Sequence, residues 1–275
     1  MKHAIVAALF ACAASALAQT PDVPQVGQIS KDSVWVPTPQ RLIRRMLQLA
    51  DTTPNDVVLD LGSGDGRIPI HAAKHFGARA IGVELEGNLV RIARQSAAAQ
   101  GVAKRAQFLQ GDLFESDLSK ATVIALYISP GAMEKLKPRL LALPPGTRIV
   151  SHQFTMDDWE PDEMVRAEGR EAYLWVVPAM LAGEWRLRLE GDDFRLRLDQ
   201  RYQTLTTQGE RAGKPVPVMG ARLRGTELRF TSFDRDGNTR HYTGRLQGER
   251  LEGHSEGHGI APRGWMAARA PASGK

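Results

Sequence analysis

An acidic, glycine-rich turn between a buried strand and a helix is the most chemically specific stretch of the chain. Val57-Val58-Leu59-Asp60-Leu61 is a short apolar, β-branched run, followed by Gly62-Ser63-Gly64-Asp65-Gly66-Arg67. Glycines let a backbone turn tightly and come close to a ligand, and the helix that follows offers free N–H groups. Glu84 closes the next apolar run 22 positions after Gly62, near the spacing at which a carboxylate grips ribose hydroxyls. The loop is not a dinucleotide fingerprint. Arg67 stands where a third glycine would be required, and Asp60 and Asp65 would repel a pyrophosphate. An acidic cradle suits a cationic ligand with an amino-acid end.

These residues resemble the class I S-adenosylmethionine-dependent methyltransferases over about Trp35 to Pro178. The resemblance implies that S-adenosyl-L-methionine is the cofactor. It implies that Asp60, Gly62, Gly64 and Gly66 cradle its methionine end and that Glu84 holds its ribose. Gly111-Asp112-Leu113 matches the motif whose Asp holds the adenine amino group, which adds Asp112 and Leu113 to the expected cofactor site. Trp35-Val36-Pro37-Thr38-Pro39, the DLGSGDGR and GDLFESDL stretches, ALYISP and Val150-Ser151-His152-Gln153-Phe154 give a narrower likeness. It is to small bacterial methyltransferases distantly similar to mitochondrial protein-lysine methyltransferases. There the arm before the first helix covers the cofactor, so Thr38 joins the expected contacts. The activity implied is N-methylation of a protein lysine or a small-molecule acceptor.

Strand and helix must alternate to carry these loops. Arg41–Ala50 has helical spacing. Strands are expected at 57–61, 80–84, 106–109, 121–128 and 148–151, with helices at 68–76, 89–100 and 133–143. That grammar predicts an α/β fold, a parallel sheet with helices on both faces, and the resemblance implies that it is the Rossmann-like class I methyltransferase sheet. Two further runs, 163–167 and 172–177, have no helix between them and predict an antiparallel hairpin at one edge.

The acceptor pocket is expected beyond the fourth strand, at Leu126-Tyr127-Ile128-Ser129-Pro130. Tyr127 is a candidate to line a lysine channel, or an aromatic packing residue at a strand end. His152 is a candidate proton relay, or a structural hydrogen-bonding histidine. The N/D-P-P-Y/F tetrad of enzymes that methylate exocyclic amines of DNA bases is lacking, which argues against a nucleic-acid acceptor. Methyl transfer draws mainly on positioning, so the lack of a sharp triad does not count against an enzyme. Asp157-Asp158-Trp159 reads as a polar loop with one anchor. His254 and His258 sit among glycines rather than on a helix, so no metal site is expected.

Near Gly183 the pattern changes to period two, as in Trp185-Arg186-Leu187-Arg188-Leu189 and Phe194-Arg195-Leu196-Arg197-Leu198, and it continues at 221–223, 227–233, 239–246 and 265–269. Roughly six to eight short antiparallel strands are expected, a small barrel or sandwich. Trp185 after Gly183 and Trp265 with Arg269 loosely resemble lipocalin-like barrels, in which a first-strand Trp meets a late Arg. The chain's 36 Lys and Arg exceed its 31 Asp and Glu, and the excess lies wholly from Gly183 onward. It is Arg spaced along strands, a solvated face rather than a nucleic-acid block.

With 42% hydrophobic and 24% charged residues among 275, the chain has the apolar mass for a core, which excludes a disordered protein. Met1-Lys2-His3, the apolar run Ala4–Ala18 and the Ala16-Leu17-Ala18 step before Gln19 have the form of a secretory leader cleaved after Ala18. A periplasmic or secreted location is therefore expected, with no membrane span in the mature chain. The single cysteine, Cys12, would leave with the leader, which excludes disulfides and a thiol nucleophile. The organisation expected is a leader at 1–18, an arm at 19–36, a cofactor-binding domain at 37–180 and a β domain at 183–270. S-adenosylmethionine is made in the cytosol, so export keeps an alternative open. In it the chain is a non-catalytic binding protein with a Rossmann-like scaffold and a lipocalin-like β domain. A polyamine-forming aminopropyltransferase uses the same fold but needs further acidic residues, which are not evident.

Overall fold

The computed structural model describes residues 29–30, 33–34, 36–189 and 192–270. The expected leader and most of the arm lie outside them. Ile29–Ser30 (β1) and Ser33–Val34 (β2) pair antiparallel.

The first large sheet is built from β3 (Val57–Leu61), β4 (Arg79–Glu84), β5 (Ala106–Gln110), β6 (Val123–Leu126), β7 (Arg148–His152), β8 (Glu163–Ala167) and β9 (Arg170–Val176). Their order is β5-β4-β3-β6-β7-β9-β8. The first five run parallel. β9 runs antiparallel to both β7 and β8, so the helix-free pair forms the expected hairpin. The strand order reverses between β3 and β6, which opens a crevice at their carboxyl ends, where α/β sheets place ligands.

Alternation along the strands sorts the core onto two faces. Leu59, Leu61, Ile124, Leu126, Ile149 and Trp175 face α4 (Pro130–Leu141), with its Met133, Leu136 and Leu140. Val58, Val123, Ala125, Val150 and Leu174 face α1 (Gln40–Leu49), where Leu42, Ile43, Met46 and Leu47 are fully buried. Burying a side chain of that size contributes about 1.5–3 kcal/mol. α3 (Gly87–Ala99) packs Val90, Ala93 and Ala97 against Ala106 and Phe108. The expected helix at 68–76 is α2 (Arg67–His71) continued by a π-helical turn, Ala72–Phe76, ending at Gly77. The fourth strand is shorter than expected, because Tyr127 and Ile128 already belong to the loop that leaves it.

The second sheet has nine strands where six to eight were expected: β10 (Gly183–Leu189), β11 (Asp192–Arg201), β12 (Thr204–Arg211), β13 (Lys214–Val216), β14 (Val218–Arg224), β15 (Glu227–Phe233), β16 (Thr239–Gln247), β17 (Arg250–Gly257) and β18 (Ile260–Arg269). The sequence does not mark β12, β13 and β17: Thr, Gln, Gly and Glu fill many positions of β12 and β17 and blur the alternation, and β13 is only three residues long. All neighbours are antiparallel. β13 and β14 sit at opposite ends of the order yet flank one proline, Pro217, and Thr207 Oγ1 on β12 donates to the Val218 carbonyl at 3.3 Å. The sheet is thus a nearly closed barrel. Trp185, Phe194, Phe230, Tyr242 and Trp265 fill its interior, with Phe230 and Tyr242 stacked at 4.6 Å. Arg269 lies over Trp185 at 4.6 Å and donates to the carbonyls of Ala182 and Met180, the Trp–Arg meeting expected from the sequence. His241 and His254 lie on the exposed side of β16 and β17.

Candidate functional site

Asp60 is the last residue but one of β3 and is buried. Burial pushes its carboxyl well above the usual carboxylate range, and the charges of Glu84 and Asp65 push it further. The loop beyond it turns through three left-handed glycines, Gly62, Gly64 and Gly66, at φ of 80°, 54° and 80°. Gly66 admits no side chain, since a Cβ there would lie 2.6 Å from the Phe108 ring and 2.7 Å from Ala93. Gly62 is exposed, and a Cβ on it would touch Ile128 at 3.4 Å. The loops after β3 and β6 therefore meet across the crevice.

Glu84, expected to hold ribose, accepts from the Gly64 amide at 2.8 Å and the Glu86 amide at 3.0 Å. It thereby ties the glycine loop to the end of β4, and a carboxylate has further lone pairs to offer. Asp112 is exposed after β5, and its Oδ1 accepts from the Phe114 amide at 2.7 Å. Leu113 is half-buried against the core. The expected cofactor residues thus converge on the carboxyl ends of β3, β4 and β5. The amides of Gly62 and Gly66 are held by the carbonyls of Val83 and Ser63, at 2.9 Å each, so the loop offers a ligand close backbone approach and three neighbouring carboxyls, Asp60, Asp65 and Glu84, which fit a cationic ligand.

Thr38 is buried, and its Oγ1 pairs with His152 Nδ1 at 3.0 Å. Arg67, noted in the sequence only as a missing glycine, binds the arm to the loop. It donates to the Thr38 carbonyl at 3.0 Å and forms an ion pair with Asp65 at 2.6 Å. The D-x-R spacing was the available signal. Arg67 also sits at the first position of α2, so its side chain can reach back over the loop.

Tyr127 and His152 are brought together, their ring centroids 3.9 Å apart, and Phe154 stacks on Tyr127 at 6.1 Å. His152 is fully buried, and burial, with the charge of Arg170, lowers its pKa to about 4. It is neutral at pH 7, and its Nε2 has no hydrogen-bond partner. Phe154 was visible in the sequence but carried no assigned role. The site accordingly has two sides: an acidic, glycine-lined one at β3–β5 and an aromatic one at β6–β7, bridged by Thr38 and Arg67.

The model of the ANTKMT methyltransferase domain matches residues 60–163, which span both sides. A protein-lysine N-methyltransferase of Saccharolobus islandicus is 42% identical over 149 residues, covering 52% of this chain and 92% of that protein. The mouse adenine nucleotide translocase lysine N-methyltransferase is 35% identical over 133 residues, covering 48% of this chain and 57% of the mouse protein. Among solved structures, an RNA methyltransferase from Salinibacter ruber in complex with S-adenosyl-L-homocysteine is 50% identical, with a TM-score of 0.52. The match covers 53% of this chain and 96% of that one. With the strand order, the acidic glycine loop and these matches together, the chain belongs to the class I S-adenosylmethionine-dependent methyltransferases.

Proposed function

We propose that the protein methylates the side-chain amine of lysine in a protein acceptor. The observation that carries this reading is the neutral, buried imidazole of His152 packed at a tilt against Tyr127, with Phe154 stacked beyond it. An amine attacks only with its lone pair free, so the pocket must not add positive charge. Aromatic faces stabilise an ammonium as it arrives and as it leaves. A neutral imidazole adds no repulsion.

In this reading Asp60 would receive the ammonium of the cofactor's methionine end, and the side-chain-free turn at Gly62, Gly64 and Gly66 would let the backbone approach it closely. Glu84 would hold the ribose, Asp112 the adenine amino group, and Leu113 would offer the adenine an apolar contact. The bound cofactor supplies a sulfonium methyl, whose S–C bond breaks with its electron pair staying on sulfur, so no acid is required. Tyr127 and Phe154 align the lysine Nζ, whose lone pair forms the new N–C bond. The proton shed by Nζ passes to solvent. Proximity and alignment supply most of the acceleration. Support from relatives is consistent: two that are similar to this chain are named lysine N-methyltransferases. The relative named as an RNA methyltransferase supports RNA as the second reading.

Export completes the proposal, on the strength of the Ala4–Ala18 run and the small-residue step before Gln19. N-terminal sequencing of the protein from its host should begin at Gln19. An intact Met1 would end that part of the reading.

The test of acceptor class uses methyl-labelled S-adenosylmethionine with separated protein and RNA fractions of a bacterial extract. Label in protein, located on lysine Nε by mass spectrometry, is the expected result. Label confined to RNA would overturn the lysine reading in favour of the second.

A further inference from the structure

The crossover from β7 to β8 contains no helix. Residues 153–162 run as a loop, and two non-glycine residues in it hold left-handed backbone, Gln153 at φ 70° and Asp157 at φ 48°. Such conformations cost about 1–3 kcal/mol each and persist only where the surroundings fix them. Its own domain holds it at the ends and at Trp159: the Gln153 amide donates to the Glu171 carbonyl at 2.8 Å, Asp162 pairs with Leu174 and Val176 at 2.7 and 2.8 Å, and the Trp175 indole donates to the Trp159 carbonyl at 2.8 Å. The barrel holds the middle, at 158–160.

The turn between β11 and β12 engages three consecutive residues of the loop. Arg201 Nη2 reaches Asp158 at 2.8 Å, and the Tyr202 hydroxyl reaches both oxygens of the same carboxylate at 3.0 and 3.1 Å. The Tyr202 ring stacks on Trp159 at 5.8 Å. Gln203 takes the Trp159 indole N–H at 2.9 Å and gives its own amide to the Glu160 carbonyl at 2.6 Å. Lys137 on α4 adds a third donor to Asp158 at 2.7 Å. These hydrogen bonds, that from Lys137 first, hold the Asp158 carboxyl well below its usual range. Trp159 is fully buried, in the core of the first large sheet's domain beside Trp175 and under Tyr202. Tyr202, partly buried, packs against the hydrophobic core of that domain.

The far end of the same loop is Phe154, which stacks on Tyr127. A turn that fixes Asp158, Trp159 and Glu160 therefore fixes the segment carrying one wall of the aromatic pocket. We propose that the β11–β12 turn is a clamp that sets the acceptor-side loop, with Tyr202 and Gln203 as positioning residues for methyl transfer. The proposal rests on the reading that the acceptor enters beside Tyr127 and Phe154. It gives the barrel a catalytic purpose without a ligand of its own. It also predicts an asymmetry: the clamp touches the acceptor side and leaves the cofactor side alone.

The experiment is hydrogen exchange on the full chain, as wild type and as Tyr202→Ala, Tyr202→Phe and Gln203→Leu, with S-adenosylhomocysteine titrated into each. Expected are amide exchange in 153–162 at least tenfold faster in Tyr202→Ala, substantial recovery in Tyr202→Phe, and S-adenosylhomocysteine affinity within twofold of wild type. In labelled transfer to the protein fraction of a bacterial extract, half-saturation by acceptor should rise at least threefold. Half-saturation by S-adenosylmethionine should stay within twofold. Unchanged exchange in 153–162, or an equal rise in β3 and β4, would overturn the proposal. Should Tyr202→Ala not fold, Gln203→Leu carries the same comparison. Failure of the wild type to bind S-adenosylhomocysteine would sink the site reading instead, and the exchange result would still stand by itself.

Discussion

Thr38 and His152, 114 positions apart, share a buried hydrogen bond of 3.0 Å between Oγ1 and Nδ1. The bond pins the segment before α1 to the end of β7. With Arg67 holding the Thr38 carbonyl and Asp65, it makes one continuous brace from the glycine loop to the aromatic pocket.

Thr38→Val should therefore disturb both sides at once. Loss of one buried hydrogen bond that leaves a polar partner unsatisfied costs about 1–3 kcal/mol. Expected are a melting temperature lower by several degrees and a weaker S-adenosylhomocysteine complex, read by thermal unfolding and calorimetry. Arg67→Ala should weaken the complex too, because the loop and the arm lose their shared anchor.

The buried histidines make stability depend on pH. His152 and His71 both have pKa values lowered to about 4, chiefly by burial. The unfolded chain takes up a proton near pH 6.5, and the folded chain does not until about pH 4. Their contribution is thus complete above pH 6.5 and declines as the pH falls towards 4. Unfolding midpoints in denaturant at pH 7, 6, 5 and 4 should fall in that order. His152→Gln should flatten part of the slope, and an unchanged slope would contradict the assignment.

Asp60 has the opposite sign. Its carboxyl pKa is raised by burial and by Glu84 and Asp65, so the ionised form destabilises the cofactor-free protein and protonation relieves it as the pH falls. A cationic ligand favours the ionised form. Cofactor binding should therefore release a proton at pH values where Asp60 is still protonated in the free protein. Calorimetry in two buffers of different ionisation enthalpy measures this, and Asp60→Asn should abolish the release.

The barrel is not a detachable module. Truncation at Gly183 would strip Tyr202 and Gln203 from Trp159, and remove the Gly225 carbonyl that accepts the Ala179 amide. The fragment should be less soluble than the whole chain and melt earlier. Within the barrel, Arg269→Ala removes the cation over Trp185 and two carbonyl contacts. It should cost about 1–3 kcal/mol, checked by denaturant unfolding.

Much of this was legible in the sequence because the informative signals were local. The strand–glycine–helix step at 57–67, Glu84 and Gly111-Asp112-Leu113 each lie in one short stretch, and the structure places them at the ends of adjacent strands. Period-two alternation marks β10, β11, β14, β15, β16 and β18; it fails for the three-residue β13 and for β12 and β17, whose polar and glycine-rich positions hide which side faces inward. What could not be read were the long-range pairings. Asp158 looks like any polar loop residue until Lys137 and Arg201 arrive from 21 and 43 positions away. Thr38 and His152 were both candidates, but nothing in their spacing joined them.

The most direct measurement is calorimetric titration of S-adenosylhomocysteine into the wild type, Asp60→Asn and Gly62→Arg, each first shown to be folded by circular dichroism. The cradle at β3 predicts saturable one-to-one binding by the wild type. Asp60→Asn should bind about 10–100-fold more weakly, the worth of a hydrogen bond to a charged group, and Gly62→Arg should not bind. Equal affinity in all three would place the cofactor elsewhere and contradict the account.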